Sequence, residues 1–283
     1  MSQSAERRTL LGELSAEFAG TLILILFGLG VVAQVVAGEG TLGDHDSIAW
    51  AWGLGVTLGI YTAARISGAH LNPAVTLALA VFQGFAWRKV LPYVAAQLAG
   101  AFVAALVVRG LYAEALATVD PDSTMATQGV FSTLPGNGAL DISLTTAFLD
   151  QVVGTAILLF LVLAITDARN SAPTAWFAPV AVGLLVVGIG MAWGTNAGYA
   201  INPARDLGPR VASWLTGYET AFEAPDGSLY FWVPIVGPLL GGLLGAALYT
   251  MLVQKHLPPA EEPTPVGRVP QPRTATQEEI THA

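Results

Sequence analysis

Long apolar runs separated by short polar connections dominate the chain. At about 1.5 Å per residue, a helix needs roughly 17–25 apolar residues to cross the hydrocarbon core of a bilayer. Six segments reach that length and are predicted to span the membrane: 14–37, 48–66, 90–112, 144–165, 175–193 and 231–253. The first is too long for a signal peptide and no small-residue cleavage site follows it, so we interpret it as a permanent span.

Two further apolar stretches, 70–85 and 200–215, are too short to cross the membrane. They could be ordinary amphipathic surface helices, but both carry the tripeptide Asn-Pro-Ala at the same point relative to their neighbouring spans. Irregular backbone at membrane depth is tolerated only where it is buried in protein or lines a wet cavity. We therefore predict two re-entrant segments.

The composition supports a membrane protein. The chain is 53% hydrophobic and 11% charged, with a mean hydropathy of +0.59, whereas a soluble domain has about 45–50% apolar and about 25% charged residues. The net charge of −8 provides no broad basic face, so we expect no nucleic-acid partner. The absence of Cys excludes disulfides, thiolate metal sites and a cysteine nucleophile.

Charged residues between the spans predict the topology. The basic residues near span ends, which the positive-inside rule assigns to the cytoplasm, are Arg7, Arg8, Arg88, Lys89, Arg169 and Lys255. The opposite connections, 38–47, 113–143 and 217–230, contain acidic residues and no Lys or Arg. Both termini are therefore predicted to be cytoplasmic, with an N-terminal segment at 1–13, a membrane domain at 14–256 and a tail at 257–283. The tail is rich in Pro, Thr and Glu and is predicted to be disordered.

The two halves of the membrane domain, 14–112 and 144–256, repeat each other. Residues 17–21 (EFAGT) align with 151–155 (QVVGT), and 68–74 (GAHLNPA) with 198–204 (GYAINPA). Each half contains three spans and one re-entrant element. Because three is odd, the second half begins on the opposite side of the membrane, as in the inverted repeats of channels and transporters. The re-entrant segments then enter from opposite faces and meet at mid-membrane.

Each Asn-Pro-Ala tripeptide is suited to starting a helix. Asn is a preferred cap and Pro suits the first helical position, so Asn72 and Asn202 are predicted at two facing helix N-termini. Each N-terminus carries about half a positive elementary charge. The pair would repel cations and hydronium, while the side-chain amides could donate hydrogen bonds to a passing hydroxyl group. The pattern favours a neutral hydroxylated permeant.

At these two segments the sequence resembles the aquaporin (major intrinsic protein) family, and the resemblance covers about 14–256. Residues 67–76 (SGAHLNPAVT) and 198–209 (GYAINPARDLGP) are similar to the two signature loops of the family. The resemblance implies an all-α membrane protein with six transmembrane helices and two half-helices in an inverted repeat. It also implies a pore in each subunit and a homotetramer. Its NPA motifs would be Asn72, Pro73, Ala74, Asn202, Pro203 and Ala204.

Four residues correspond to the narrowest ring of the family: Trp52, Gly190, Tyr199 and Arg205. Water-selective members usually carry His at the position of Gly190, and Gly is expected to leave that space open. Trp52 and Tyr199 would face the carbon backbone of a polyol while Arg205 donates hydrogen bonds to its hydroxyls. Asp206, directly after Arg205, gives the sequence Asn-Pro-Ala-Arg-Asp, which resembles that of the glycerol-conducting branch of the family.

Other interpretations of these residues remain open. Trp52 and Tyr199 could be interfacial belt residues, and Tyr199 departs from the Phe more familiar in bacterial glycerol facilitators. If its hydroxyl points into the lumen, the pore is narrower and more polar. Arg205 follows Asn202 by three residues, and an Arg at that depth is costly unless it faces water or a partner, which favours a functional role.

Four polar residues, Glu17, His70, Gln151 and Asp206, are expected to play supporting roles. Glu17 and Gln151 lie at matching places and are expected to hydrogen-bond the irregular backbone before each half-helix, which has no water partner. The family usually has Glu at both places, so Gln151 is a departure, and Asp150 could take its role instead. His70 could line the pore or belong to the scaffold.

The sequence thus predicts a passive channel for glycerol and other small neutral solutes, and also water. A water-selective channel is the alternative. The residue at position 190 distinguishes the two, because water-selective members usually carry His there and this chain carries Gly. An ion-coupled transporter or an intramembrane enzyme would need more ionisable residues in the spans than Glu17, Asp150, Arg205 and Asp206. No metal-ligand set or catalytic dyad is visible, so no enzyme, metal or cofactor is predicted. A multi-pass protein of the plasma (inner) membrane, with lipid, glycerol and water as partners, is expected.

Overall fold

The protein is described here by a computed structural model of residues 9–174 and 176–259. Within these ranges the secondary structure is helical, apart from one isolated bridge between Glu223 and Leu229. The predictions made for Arg7 and Arg8, and for the tail from 260 onward, lie outside the described residues.

Ten α-helices follow one another along the described chain. They are α1 (Leu10–Ala37), α2 (His45–Ser67), α3 (Pro73–Phe82), α4 (Trp87–Leu111), α5 (Ala113–Val119), α6 (Met125–Gln128), α7 (Leu144–Thr166), α8 (Ala178–Ala197), α9 (Pro203–Leu215) and α10 (Val233–Leu252). Single 3₁₀ turns lie at Pro135–Gly138 and Gln254–His256. The long helices α1, α2, α4, α7, α8 and α10 coincide with the six predicted spans.

Five of the described helices are long and apolar enough by themselves to cross a membrane, namely α1, α4, α7, α8 and α10. Helix α2 has 23 residues but falls short of that hydropathy. It carries Asp46, Thr57 and Arg65, which lower its mean hydropathy. Its length and its packing between α1 and α8 nevertheless make it the sixth long helix of the bundle.

The short helices α3 and α9 have 10 and 13 residues. Each begins at the Pro of an Asn-Pro-Ala tripeptide, and the Asn side chain caps it by accepting from a backbone N–H. Helices of about 15–20 Å are half the length that a bilayer requires. The fold prediction of six long helices and two half-helices is therefore confirmed.

Contacts between the helices follow the internal repeat. In the first half α1 packs against α2 and α4, and in the second half α7 packs against α8 and α10. Each half-helix also contacts the last long helix of the other half, α3 with α10 and α9 with α4. The two halves therefore interlock around the half-helices, which also contact each other.

Small residues allow these close approaches. A Cβ atom added at Gly20 on α1 would lie 2.9 Å from the carbonyl oxygen of Gly59 on α2, and one added at Gly59 would lie 2.7 Å from that of Gly20. On α10, a Cβ at Gly245 would lie 2.8 Å from Cα of Ala156 on α7. In lipid, helix association depends on such packing because the surrounding chains are as apolar as the helices.

The connection at 113–143 is more than the polar loop that the sequence predicted. It contains α5, α6 and a 3₁₀ turn, and the side chains of Val130, Phe131 and Leu134 are buried. The buried stretch places Thr133 against the second half-helix, where it takes part in the site described next.

Candidate functional site

The two chain segments that lead into the half-helices have unusual backbone geometry. In the first, Ala69 and Leu71 have φ of 52° and 53°, and in the second, Tyr199 and Ile201 have φ of 36° and 44°. Residues with side chains avoid this left-handed region, and each costs about 1–3 kcal/mol. Such conformations persist only where neighbouring groups fix them.

Glu17 on α1 fixes the first segment. Its Oε1 accepts hydrogen bonds from the backbone N–H of His70 (2.9 Å) and from Ser67 Oγ (2.6 Å). Its Oε2 accepts from the N–H of Leu71 and from Gln97 Nε2, both at 2.8 Å. The carboxylate is fully buried, and these contacts match the hydrogen bonds expected of Glu17.

Gln151 on α7 holds the second segment in a different way. Its Oε1 accepts from the N–H of Ile201 and its Nε2 donates to the carbonyl oxygen of Ala197, both at 2.9 Å. Asp150 instead accepts from Asn196 Nδ2 at the end of α8 (3.0 Å). Gln151 rather than Asp150 therefore contacts the second segment.

The two Asn-Pro-Ala tripeptides are bonded to each other's segments. Asn72 Nδ2 donates to the carbonyl oxygen of Ile201, and Asn202 Nδ2 donates to that of Leu71, both at 2.8 Å. An amide nitrogen has two N–H groups, so each Asn uses one for this cross-link and keeps one. One N–H of each Asn is therefore left to donate to a permeant.

A cavity of about 360 Å³ runs past these tripeptides. It extends from Trp52, Tyr199 and Arg205 to Thr166, the last residue of α7, and Ala178, the first of α8. One wall consists of the two irregular segments with Asn72 and Asn202. The other consists of apolar side chains, among them Leu24, Val56, Ile60, Leu79, Leu158, Val162, Val182 and Val186.

Trp52, Tyr199 and Arg205 form one end of the cavity, which we call the constriction. The Arg205 guanidinium lies over the Trp52 ring, with Cζ 4.3 Å from the ring centroid, a cation–π distance. Arg205 Nη1 and the Tyr199 hydroxyl are both buried and have no hydrogen-bond partner among the described residues. The hydroxyl therefore does not present a polar surface to the lumen.

Gly190 lies behind the constriction and not in it. A Cβ atom added there would lie 3.0 Å from Tyr199 Cζ and 3.1 Å from Cβ of Ala49, and Gly190 is absent from the cavity lining. The expectation of open space beside Gly190 is therefore wrong. The Tyr199 ring fills that space, because the missing side chain lets the ring pack directly on α8.

Asp206 does not pair with its neighbour Arg205. Its Oδ1 accepts from Arg210 Nε (2.7 Å), and its Oδ2 accepts from the N–H and Oγ1 of Thr133 (2.8 and 2.6 Å). Arg210 also donates to the carbonyl oxygens of Thr133 (2.7 Å) and Ala221. Arg210 and Thr133 are supporting residues that sequence reasoning missed. The spacing of Asp206 and Arg210 on one helix face could have indicated the ion pair, but no local signal marks Thr133.

His70 lies between the cavity and the aromatic side chains packed behind it. It belongs to the cavity lining, and its ring packs against Phe85 and Tyr93, with centroids 4.6 and 5.0 Å away. Its Nδ1 lies 3.1 Å from Thr76 Oγ1. The imidazole is thus held by the scaffold at the edge of the cavity.

Comparisons with known proteins agree with this architecture. Residues 4–249 match the family model described as Major intrinsic protein. The chain is 43% identical over 267 residues to the glycerol uptake facilitator protein of Escherichia coli (strain K12), covering 91% of this chain and 92% of the relative. It is 42% identical to the glycerol uptake facilitator protein of Pseudomonas aeruginosa, covering 93% and 96%. The X-ray structure of the aquaglyceroporin from Plasmodium falciparum matches with a TM-score of 0.78 at 34% identity, covering 87% of this chain and 97% of that one.

Proposed function

Because the chain belongs to the major intrinsic protein family, we propose that it is a passive membrane channel for glycerol and other small neutral solutes, with water as a further permeant. The observation that carries the proposal is the two-sided cavity. Its apolar wall suits the carbon backbone of a polyol, while Asn72, Asn202 and Arg205 on the other side offer hydrogen-bond donors to its hydroxyls.

The proposed roles of the site residues follow from this wall. The mid-pore donors are the side chains of two NPA residues, Asn72 and Asn202. The other NPA residues begin the two half-helices: Pro73, Ala74, Pro203 and Ala204. Trp52, Tyr199 and Arg205 form the selectivity filter, with Gly190 as the seat of the Tyr199 ring. Glu17, Gln151, His70 and Asp206 support these groups through the contacts described above.

Charge at the constriction supports exclusion of cations. Among residues 9–174 and 176–259, Arg205 forms no ion pair, since the carboxylate of Asp206 is bonded to Arg210. The uncompensated guanidinium lies at the start of α9, where the helix dipole is also positive. Both positive charges would repel a cation that enters the constriction, whereas they would not repel a neutral polyol.

The protein is an integral membrane protein of the channel type found in this family. We extend the proposal to a homotetramer in the plasma (inner) membrane with both termini in the cytoplasm. The acidic connections on one side and the basic residues on the other support that orientation. The proposal includes no catalytic activity and no cofactor.

Transport assays on purified protein in liposomes test the function. Stopped-flow light scattering would record swelling in glycerol and shrinkage under an impermeant osmolyte. Two variants of α2 form a matched pair: Val56→Trp adds a bulky ring to the cavity wall, and Leu54→Trp adds it to the exposed outer face.

We expect glycerol flux in the parent protein and in Leu54→Trp, and loss of that flux in Val56→Trp. Water flux without glycerol flux in the parent would instead support a water-selective channel. A sodium or proton current that follows glycerol flow would contradict a passive neutral-solute channel.

A further inference from the structure

His45, the first residue of α2, makes a contact that the proposed function does not use. Its Nε2 lies 2.9 Å from the carbonyl oxygen of Gly190 on α8. A carbonyl oxygen only accepts, so Nε2 carries the hydrogen and donates it. His45 is otherwise exposed and is not part of the cavity lining. It therefore connects the outer end of α2 to the glycine behind the constriction.

The imidazole and the Tyr199 ring share one groove on α8. Gly190 and Gly194, one helical turn apart, form its floor. A Cβ atom at Gly194 would lie within 2.8 Å of His45 Nε2 and 3.4 Å from Tyr199 Cδ1, and one at Gly190 would lie 3.0 Å from Tyr199 Cζ. The two rings are perpendicular, with centroids 6.3 Å apart. The groove thus seats Tyr199 at one end and His45 at the other.

Packing alone fixes the Tyr199 ring. Its hydroxyl has no partner within the described part of the chain, and its backbone φ of 36° is strained. No hydrogen bond of the Tyr199 side chain therefore keeps the ring in place. Its position depends on the glycine floor and on the imidazole that closes the outer end of the groove.

We propose that His45 is a positioning residue that keeps Tyr199 seated on α8 and so sets the upper size of polyol that the constriction admits. This inference rests on the proposed glycerol channel. Without the hydrogen bond to Gly190, the imidazole end of the groove opens and the Tyr199 ring tilts outward, away from Trp52 and Arg205. A wider constriction passes larger polyols without a matching gain for glycerol.

The test compares three single variants in proteoliposomes. His45→Leu keeps a side chain of similar bulk but removes the donor, and His45→Gln keeps an N–H donor. Asp46→Asn changes the adjacent exposed residue as a control. The readout is the ratio of ribitol flux to glycerol flux, normalised to protein content.

We expect His45→Leu to raise this ratio by about three- to tenfold, the range that corresponds to loss of one hydrogen bond. His45→Gln and Asp46→Asn should stay within about twofold of the parent. An unchanged ratio in His45→Leu would overturn the proposal, and so would an equal rise in His45→Leu and His45→Gln, because the donor would then be irrelevant.

A second variant, Gly194→Ala, and a direct measurement of the Tyr199 ring position test the positioning role independently of His45→Leu. Gly194→Ala expels the imidazole from the groove while leaving His45 in the chain, and it should raise the ratio in the same direction. Electron cryomicroscopy of His45→Leu or Gly194→Ala should show the Tyr199 ring displaced from Gly190. If the parent protein conducts no glycerol, the proposed function fails. The positioning role is then decided by that structure, and an unmoved Tyr199 ring would refute it.

Discussion

The segments that lead into α3 and α9 have the same backbone shape but are held by different chemistry. Glu17 offers two carboxylate oxygens to four donors, two of them backbone N–H groups. Gln151 accepts one backbone hydrogen bond and donates one. The repeat therefore conserves the geometry of the segment while the supporting group differs between a charged acceptor and a neutral amide.

This difference matches what each half contributes to the pore. The first segment carries His70 and is bound into a buried polar cluster with Thr76 and Gln97. The second carries Tyr199 and leads to Arg205 at the constriction. It receives additional support from Thr133 in the connection between the halves, through Asp206. The half that contributes Tyr199 and Arg205 to the constriction is therefore supported from outside the repeat.

Breaking the support of the second half should have the largest effect. Asp206→Leu leaves the fully buried Arg210 without its carboxylate, and removal of one partner of a buried ion pair costs about 3–5 kcal/mol. Thermal unfolding in detergent would measure the loss, and glycerol flux should fall with it. Asp122→Leu, at an exposed position of the connection at 113–143, is the control. Equal stability of the two variants would show that the ion pair does not support α9.

Neutralising the support of the first half is the next test. Glu17→Gln has no charge and can accept on only one oxygen, so the backbone N–H groups of His70 and Leu71 both lose a charged acceptor and one of them loses its acceptor altogether. Hydrogen bonds to charged groups contribute about 1.5–3 kcal/mol, and we expect a loss of free energy of unfolding in that range. Glu39→Gln, at an exposed turn, should leave the stability unchanged. A stable Glu17→Gln channel with parental flux would refute the need for a charge here.

The reciprocal change sharpens the comparison. Gln151→Glu keeps the acceptor for Ile201 but removes the donor to the carbonyl oxygen of Ala197, leaving two acceptors facing each other. An unsatisfied buried group costs about 1–3 kcal/mol. We expect the free energy of unfolding of the variant to be lower than that of the parent by about 1 kcal/mol. Gain of stability in the same unfolding assay would mean that the two supports are interchangeable.

An acid outside the membrane-spanning helices should have the smallest effect. Hydrogen bonds from Arg169 lower the pKa of the Asp167 carboxyl to about 2, against about 3.9 in an unfolded chain. The carboxylate therefore contributes its full stabilisation at pH values above its unfolded pKa, and this stabilisation is lost as the pH falls through the folded pKa of about 2. Asp167→Asn should lower the unfolding temperature at pH 7 by no more than about 2 °C. The difference from the parent should vanish towards pH 2, and a difference independent of pH would contradict this.

Much of the architecture follows from the sequence because it depends on local patterns. Apolar runs define the long helices, and the Asn-Pro pairs define where α3 and α9 begin. The repeat also placed Glu17 and Gln151 at matching points. These features depend only on the order of the residues and on the bilayer that surrounds them, so the sequence is enough to predict them.

The parts that the sequence did not predict depend on side-chain directions across long separations. The contact of Tyr199 with Gly190 arises because a ring from one loop turns onto a helix face, which no spacing reveals. Thr133 reaches Asp206 only because the connection at 113–143 folds inward. His45 lies 145 positions from the glycine that it contacts. Such contacts become visible only when the whole bundle is assembled.

The crossed amide bonds between Asn72 and Ile201 and between Asn202 and Leu71 bear on how the protein is made. Their partners are 129 and 131 positions apart. At a synthesis rate of about 5–20 residues per second, the first half-helix waits on the order of ten seconds in the membrane before its partner emerges. Until then one amide N–H and one backbone carbonyl at its tip lack protein partners. Biogenesis of the second half therefore completes the first.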